Sequence, residues 1–148
     1  MGKRRLGREL ALQMLFQLDI TKDLPQEGMK LFWLNREFPQ ETKDFANDLV
    51  EGTMEHLVFI DQCISSFAEN WSITRMSTVD RNILRFSVFE ILFRSEIPDK
   101  VSINEALEIA KEYGTDESVP FINGILDKIV KEKSNLLSSF HSSSPRST

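Results

Sequence analysis

The 148-residue sequence has few of the residues that make turns, cross-links or metal sites. It contains only 6 glycines and 5 prolines, which favours helices over a sheet with many turns. Its single cysteine, Cys63, excludes an internal disulfide and fits a reducing compartment. No apolar run approaches the ~18 residues that a membrane span needs, and polar residues interrupt the segment after the basic N-terminus. We therefore expect a cytoplasmic protein with neither a signal peptide nor a membrane span.

Residues that could perform chemistry are too sparse to predict an active site. The histidines form no cluster with metal-ligand spacing, and no glycine-rich nucleotide motif is present, so we expect neither a metal nor a cofactor. His56 and Cys63 lie on about the same helical face, which is compatible with a nucleophilic pair in a hydrolase. A small apolar cysteine in the core is the favoured interpretation. We therefore predict a binding protein with no catalytic residues, not an enzyme.

Positive charge is concentrated at the N-terminus of an otherwise acidic chain. Lys3, Arg4, Arg5 and Arg8 lie within residues 1–8, which contain no acid, although the formal net charge is −5. These four cations leave 14 basic and 23 acidic residues for the remainder, a balance of −9. Cations in the first turns of a helix oppose its dipole by ~0.3–1 kcal/mol each, so folding alone does not favour them there. Either an anionic partner binds this end, or it is a solvated, frayed leader.

The spacing of apolar residues predicts an all-α fold, a compact bundle of about six or seven helices. No strand-like alternation, internal repeat or long heptad seam is present. The region 41–67 is either one long helix or two helices with a break near His56. We expect one domain followed by a disordered, serine-rich tail, with these bounds: 1–133 for the domain, about 3–67 and 77–133 for its halves, and 134–148 for the tail.

The stretch 77–94 is predicted to form the central helix of this bundle. Apolar residues occupy nearly all of its faces, which is typical of a helix packed between other elements. Ser77 and Asp80 match a capping box at its start. Ser102 and Glu105 match a second capping box, which predicts that the next helix begins at Ser102.

Four segments together resemble the bacterial NusB family of antitermination factors: RRLGRELALQMLF (4–16), VDRNILR (79–85), KVSINEALEIAKEYG (100–114) and FINGILDKI (121–129). The resemblance implies an all-α fold of two packed helical sub-bundles, which agrees with the periodicity. It also implies a non-enzymatic protein that binds boxA RNA of ribosomal operons together with NusE, a small-subunit ribosomal protein. Such a protein works within the RNA polymerase antitermination complex and supports transcription of ribosomal RNA.

The resemblance also implies functional residues, position by position. The partner-protein surface would include Asp80 and Arg81. The RNA-binding positions fall on the basic N-terminus and on aromatic and polar residues further along: Lys3, Arg4, Arg5, Arg8, Phe16, Tyr113, Glu117, Phe121 and Asn123.

Several of these residues have a competing structural interpretation. Tyr113 and Phe121 lie on apolar stripes and could serve only as core, and Asn123 with the following glycine could allow close helix packing. Phe16 replaces the tyrosine of some relatives, so a base could still stack there but a hydroxyl hydrogen bond would be absent. Leu6 interrupts the run of basic residues, which is less arginine-rich here than in some relatives. This predicts low RNA affinity without the partner.

Other functions also remain open from sequence alone. The chain could be a protein-docking helical adaptor that does not bind RNA directly. It could be related to the NusB-like domain that precedes some ribosomal RNA methyltransferases, which would require a catalytic domain after the serine-rich tail. A homodimer is compatible with either, and it could hide the basic face.

Overall fold

The computed structural model describes residues 2–69 and 71–143, and every regular element within them is helical. The all-α prediction is confirmed. Eight α-helices and one 3₁₀ turn follow in this order along the described chain: α1 (Gly2–Thr21), α2 (Pro25–Trp33), α3 (Gln40–Glu55), α4 (Leu57–Phe67), the 3₁₀ turn (Ile73–Arg75), α5 (Thr78–Phe93), α6 (Asp99–Tyr113), α7 (Ser118–Lys131) and α8 (Lys133–Ser143). None of the described helices is both long and apolar enough to cross a membrane.

Helix α5 lies at the centre of the bundle, as its sequence predicts. It packs against α1, α3, α4, α6 and α7, and its apolar side chains are buried along most of its length. Ser77 caps its N-terminus, because the Ser77 hydroxyl accepts a hydrogen bond from the backbone N–H of Asp80 at 3.0 Å. The Asp80 carboxylate accepts a hydrogen bond from the Ser118 hydroxyl at 2.7 Å and so fastens α7 to α5.

The helices form two groups that share α5. Helices α1, α2 and α3 pack against one another, whereas α7 packs against both α4 and α6. The region 41–67 forms two helices, α3 and α4, which meet at His56. Helix α4 packs mainly against α5 and α7. The His56 ring stacks on Phe93 with 4.5 Å between ring centroids, which fixes the break against α5. Close approach of α3 to α5 also depends on Gly52, because a Cβ there would overlap the ring of Phe89.

The second predicted capping box is wrong. Helix α6 begins at Asp99 with Pro98 at its N-cap position, so Ser102 and Glu105 lie inside the helix. Ser102 donates a hydrogen bond to the buried carboxylate of Glu90 at 2.6 Å. The sequence signature failed because partners from α1 and α5 bind the two side chains that the box would use.

The predicted disordered tail is wrong for residues 134–143, which belong to helix α8. Leu136 packs against the core, and the ring of Phe140 lies 5.1 Å from that of Phe93. The serine-rich composition conceals this helix, because its apolar contacts depend on a few residues spaced by three and four. This helix raises the count above the predicted six or seven, and residues 144–148 of the predicted tail lie outside the described residues.

Candidate nucleic-acid interface

The first turn of α1 presents two exposed cations. Lys3 pairs with Glu41 across an N–O distance of 3.1 Å, and both side chains are solvent-exposed. The guanidinium of Arg4 lies over the ring of Phe45, 5.1 Å from its centroid. Within the described part of the chain, Arg4 makes no ion pair. These two cations are therefore accessible to an external anion.

Arg5 is more firmly held than its neighbours. Its Nε donates to Oε1 of Glu105 at 2.9 Å and its Nη2 donates to Oε2 at 2.7 Å. This hydrogen-bonded pair raises the pKa of Arg5 above its usual value. The same hydrogen bonds lower the pKa of Glu105, against the opposing effect of burial. Because the Arg5 side chain is still 39% exposed, one edge of its guanidinium can meet a ligand.

Arg8 is not at the surface, which corrects the prediction that it contacts RNA directly. Its side chain is 2% exposed and that of Glu90 is 1% exposed. Arg8 Nε donates to Glu90 Oε2 at 3.0 Å and Nη2 donates to Oε1 at 2.7 Å. Arg4 and Arg8 do share a face, since both lie 5.1 Å from the Phe45 ring, but by Arg8 that face has entered the bundle.

Further along α1, the side chains face the C-terminal end of α6. Tyr113 lies beside Gln13 and Glu9 of α1, and its pKa is raised by burial and by the neighbouring charge of Glu9. The Tyr113 ring packs against the core, but the residue stays partly exposed. Core packing therefore accounts for only one side of this residue. Phe16 lies one turn after Gln13 and is 40% exposed. An apolar ring this accessible is available for stacking.

A pocket of about 300 Å³ opens where the loop before α5 meets the start of α7. Phe121 and Trp71 face each other there with centroids 6.4 Å apart and planes at 72°. Trp71 is 50% exposed, whereas Phe121 is half-buried. Two residues predicted to bind RNA, Phe121 and Glu117, line the pocket. Its other lining residues, one of which is the predicted partner contact Asp80, are these: Trp71, Arg75, Met76, Ser77, Asp80 and Thr115.

Sequence reasoning missed Trp71 and Arg75 as parts of this pocket. Both lie in the segment between α4 and α5, whose pattern indicates only a linker. The available signal was Trp71 itself, a large aromatic residue in a polar stretch without helical periodicity. Because no apolar helix face there would bury it, its ring is a candidate for a binding surface.

Asn123 does not join the pocket. It lies two residues after Phe121 on α7, and at 3.6 residues per turn the two side chains point about 160° apart. Asn123 is exposed and makes no part of the lining. The alternative of close helix packing also fails, because a Cβ at Gly124 would meet no atom within 4 Å.

The two residues predicted to contact a protein partner differ in accessibility. Asp80 lines the pocket and is partly exposed, although it also accepts the hydrogen bond from Ser118. Arg81 is only 14% exposed on its side chain and pairs with Asp19 at 2.8 Å. It also donates to the carbonyl of Ile73 at 3.0 Å, which holds the 3₁₀ turn. Direct contact by Arg81 is therefore not supported, and its role in the structure is internal.

The alternative of a hydrolase pair formed by His56 and Cys63 is not supported by their environment. Cys63 is buried, and burial raises the pKa of its thiol to about 11, so the reactive thiolate is scarce at neutral pH. The His56 ring is stacked on Phe93. Within residues 2–69 and 71–143, no group of three or more His, Cys, Asp or Glu residues could hold a metal ion.

Comparison with known proteins identifies the family of this chain. Residues 5–131 match the NusB family. The chain belongs to the NusB family. A transcription antitermination protein NusB from Thermodesulfovibrio yellowstonii is 48% identical over 142 residues, covering 88% of this chain and 93% of the relative. The NusB of Geobacter sulfurreducens is 50% identical over 131 residues, covering 87% of this chain and 94% of the relative.

Solved NusB structures have the same fold. T. maritima NusB is similar with a TM-score of 0.81 at 38% identity, covering 93% of this chain and 98% of that one. A chain from the crystal structure of antitermination factors NusB and NusE in complex with dsRNA has a TM-score of 0.78 at 27% identity. That match covers 88% of this chain and 98% of the other.

In this NusB-family chain, the accessible predicted residues follow one continuous route. The route begins at Lys3, Arg4 and Arg5 on α1, passes along that helix to the contact with Tyr113, and continues through the loop after α6. That loop reaches the aromatic pocket, because Thr115 lines it. A single extended ligand can therefore meet cations at one end and two aromatic rings at the other. We call this route the N-terminal RNA face, after the ligand that we propose for it.

Proposed function

We propose that this protein is a transcription antitermination factor that binds boxA RNA of ribosomal operons together with NusE. The observation that supports this most directly is the N-terminal RNA face itself. It joins exposed cations to an aromatic pocket, which are the two elements that single-stranded RNA requires. The NusB–NusE complex with dsRNA supplies a relative of the same fold with RNA and NusE bound.

The chemistry of the face suits an unpaired RNA strand. Arg4 and Arg5 can bind phosphates through their planar guanidinium groups, and Arg4 keeps a second face free beyond its contact with Phe45. Trp71 and Phe121 can stack on bases splayed out of the strand. Because every base offers a stacking surface, sequence preference must come from polar groups such as the Glu117 carboxylate, which accepts hydrogen bonds from base N–H groups.

The protein partner is proposed to dock beside the aromatic pocket. Asp80 is the predicted contact that remains accessible, and it is fixed in place by its hydrogen bond from Ser118. Docking there would bring NusE against the same RNA strand, within the RNA polymerase antitermination complex. A homodimer formed through the N-terminal RNA face would compete with RNA, so it would be a stored form and not the active one.

The proposal is tested by fluorescence anisotropy with labelled boxA RNA, with and without NusE. The variant Arg4→Ala/Arg5→Ala should weaken RNA binding in both conditions. Lys22→Ala/Lys131→Ala is the matched control, because it also removes two exposed cations, which lie at the C-terminal ends of α1 and α7 and pair with Asp19 and Asp127. Equal affinities for the two variants would count against RNA binding through this face. If RNA adds nothing to the complex with NusE, the protein-docking adaptor is the better description.

A further inference from the structure

The orientation of Arg5 on the N-terminal RNA face is set before any ligand arrives. Glu105 takes the Nε and Nη2 donors on one side of the guanidinium, at 2.9 and 2.7 Å. Within the described residues, Nη1 makes no hydrogen bond, so the edge formed by Nη1 and the outer N–H of Nη2 stays free. That edge carries two parallel N–H groups, the geometry that binds a phosphate through two oxygens.

Glu105 is itself fixed from the core. Its Oε1 lies 3.8 Å from Nη1 of Arg8, and its side chain is only 19% exposed. Arg8 is held by Glu90 through two hydrogen bonds, and Glu90 accepts a third from Ser102 at 2.6 Å. These five residues form a chain of contacts from the bundle interior to the surface, which we call the arginine–glutamate chain. It ends at the exposed edge of Arg5.

We infer that Glu105 is a positioning residue for RNA binding, which presents the free edge of Arg5 to a phosphate of the RNA backbone. The inference rests on the proposed function. A free arginine loses much of its rotamer freedom when it binds, whereas an arginine already held by a carboxylate has lost it on folding. Arg8 contributes indirectly, because it anchors Glu105 while it remains buried itself.

Glu105→Gln tests this inference through the sign of its effect. If Glu105 acted only as a nearby negative charge, its neutralisation would tighten RNA binding. If it positions Arg5, neutralisation should weaken binding by roughly two- to tenfold, the factor expected when one long side chain must be ordered on binding. The measurement is boxA RNA affinity by anisotropy in the presence of NusE. Tighter or unchanged binding would overturn the inference.

Glu108→Gln is the matched control for charge. Glu108 lies one turn further along α6, pairs with Lys111 at 3.2 Å, and is exposed. Its neutralisation removes the same charge but breaks no hydrogen bond to Arg5, so RNA affinity should stay the same or rise. An equal loss of affinity in both variants would mean that Glu105 has no special role.

A double-mutant cycle separates positioning from a general effect on folding. In the background of Arg5→Ala, Glu105→Gln should no longer weaken RNA binding, because the side chain that Glu105 positions for the phosphate is gone. A persistent weakening there would overturn the inference. If Arg5→Ala alone leaves affinity unchanged, the proposed RNA contact fails at this residue; if it weakens binding while Glu105→Gln does not, only the positioning role fails.

Two further measurements keep the test decisive. The dependence of affinity on salt should be the same for Glu105→Gln as for the unmodified protein, because Arg5 still reaches the phosphate; a smaller salt slope would mean that Arg5 no longer binds it. Should Glu105→Gln fold poorly, Glu105→Asp preserves the charge opposite Arg8 but withdraws the carboxylate by one methylene. It should also weaken RNA binding, and normal affinity in this variant would refute the need for the two-point contact.

Discussion

Replacing Arg8 by methionine should strongly destabilise the fold. The side chains of Arg8 and Glu90 are 2% and 1% exposed, so methionine fills the space but leaves a buried carboxylate without its cation. Removing one partner of such a pair costs about 3–5 kcal/mol. At about 2–4 °C per kcal/mol for a protein of this size class, the Tm should fall by roughly 6–20 °C.

Urea unfolding followed by circular dichroism measures this loss as a lower midpoint with an unchanged slope. The control is the triple variant Arg8→Met/Glu90→Leu/Ser102→Ala, which removes the cation, its carboxylate and the hydroxyl that donates to that carboxylate. Because no charged or polar group is then left unpaired, most of the stability should return. The difference between the two variants isolates the cost of the uncompensated Glu90 carboxylate.

The same Arg8→Met protein, held well below its Tm, also tests whether Arg8 touches RNA. If Arg8 bound a phosphate of a single strand, its replacement would reduce the salt slope of boxA RNA binding by about 0.7. We expect no change in this slope, because Arg8 is enclosed by the bundle. Near-normal stability together with a slope reduced by about 0.7 would refute the reasoning, since Arg8 would then be a surface ligand.

Three further variants test other parts of the molecule. Asp19→Asn should cost about 1–3 kcal/mol at pH 7, because Arg81 loses its carboxylate partner. Burial alone would raise the pKa of Asp19, but hydrogen bonds, first from Asn82, lower it from 3.8 to about 2. The stabilisation is therefore complete above about pH 4 and is lost as the pH falls toward 2, where urea curves of the variant and the unmodified protein should converge. Trp71→Ala should weaken boxA RNA binding by ~1–3 kcal/mol in anisotropy titrations, and unchanged affinity would remove Trp71 from the RNA face. Phe140→Ala should reduce the free energy that holds α8 on the bundle by ~0.5–1.5 kcal/mol for each aromatic pair it removes. The expected result is faster amide hydrogen exchange in α8 with unchanged RNA affinity. Unaltered exchange would contradict the packing of Phe140.

The overall fold could be predicted from sequence because helical periodicity records which side of each helix is buried. The central position of α5 follows from its apolar residues on nearly every face, and its N-terminal cap from Ser77. Helix α8 could not be predicted, since its burial rests on few apolar residues in a serine-rich segment. The break at His56 depends on the ring of Phe93 in another helix, which no local pattern records.

The position of the candidate site along the chain could be predicted from sequence, but the burial of its individual side chains could not. Periodicity places Arg4 and Arg8 on one face, yet it does not say where along the helix that face enters the core. The burial of Arg81 could not be predicted for the same reason, because its carboxylate partner Asp19 lies 62 residues earlier in the chain. Buried arginines resemble surface arginines in sequence, and only the tertiary position of their carboxylates distinguishes them.

The pairing of the N-terminal cations explains why RNA binding should depend on a partner. With Arg8 buried, three of the four cations remain, and three phosphate contacts predict a salt slope of about −2.1, compared with about −2.8 for four. Two of these three, Lys3 and Arg5, already face carboxylates, and the chain has a formal net charge of −5. Electrostatic attraction from this protein alone is therefore weak. A partner that adds its own cations to the same strand would steepen the slope, and the difference between slopes measured with and without NusE, divided by about 0.7, counts the phosphates that the partner contributes.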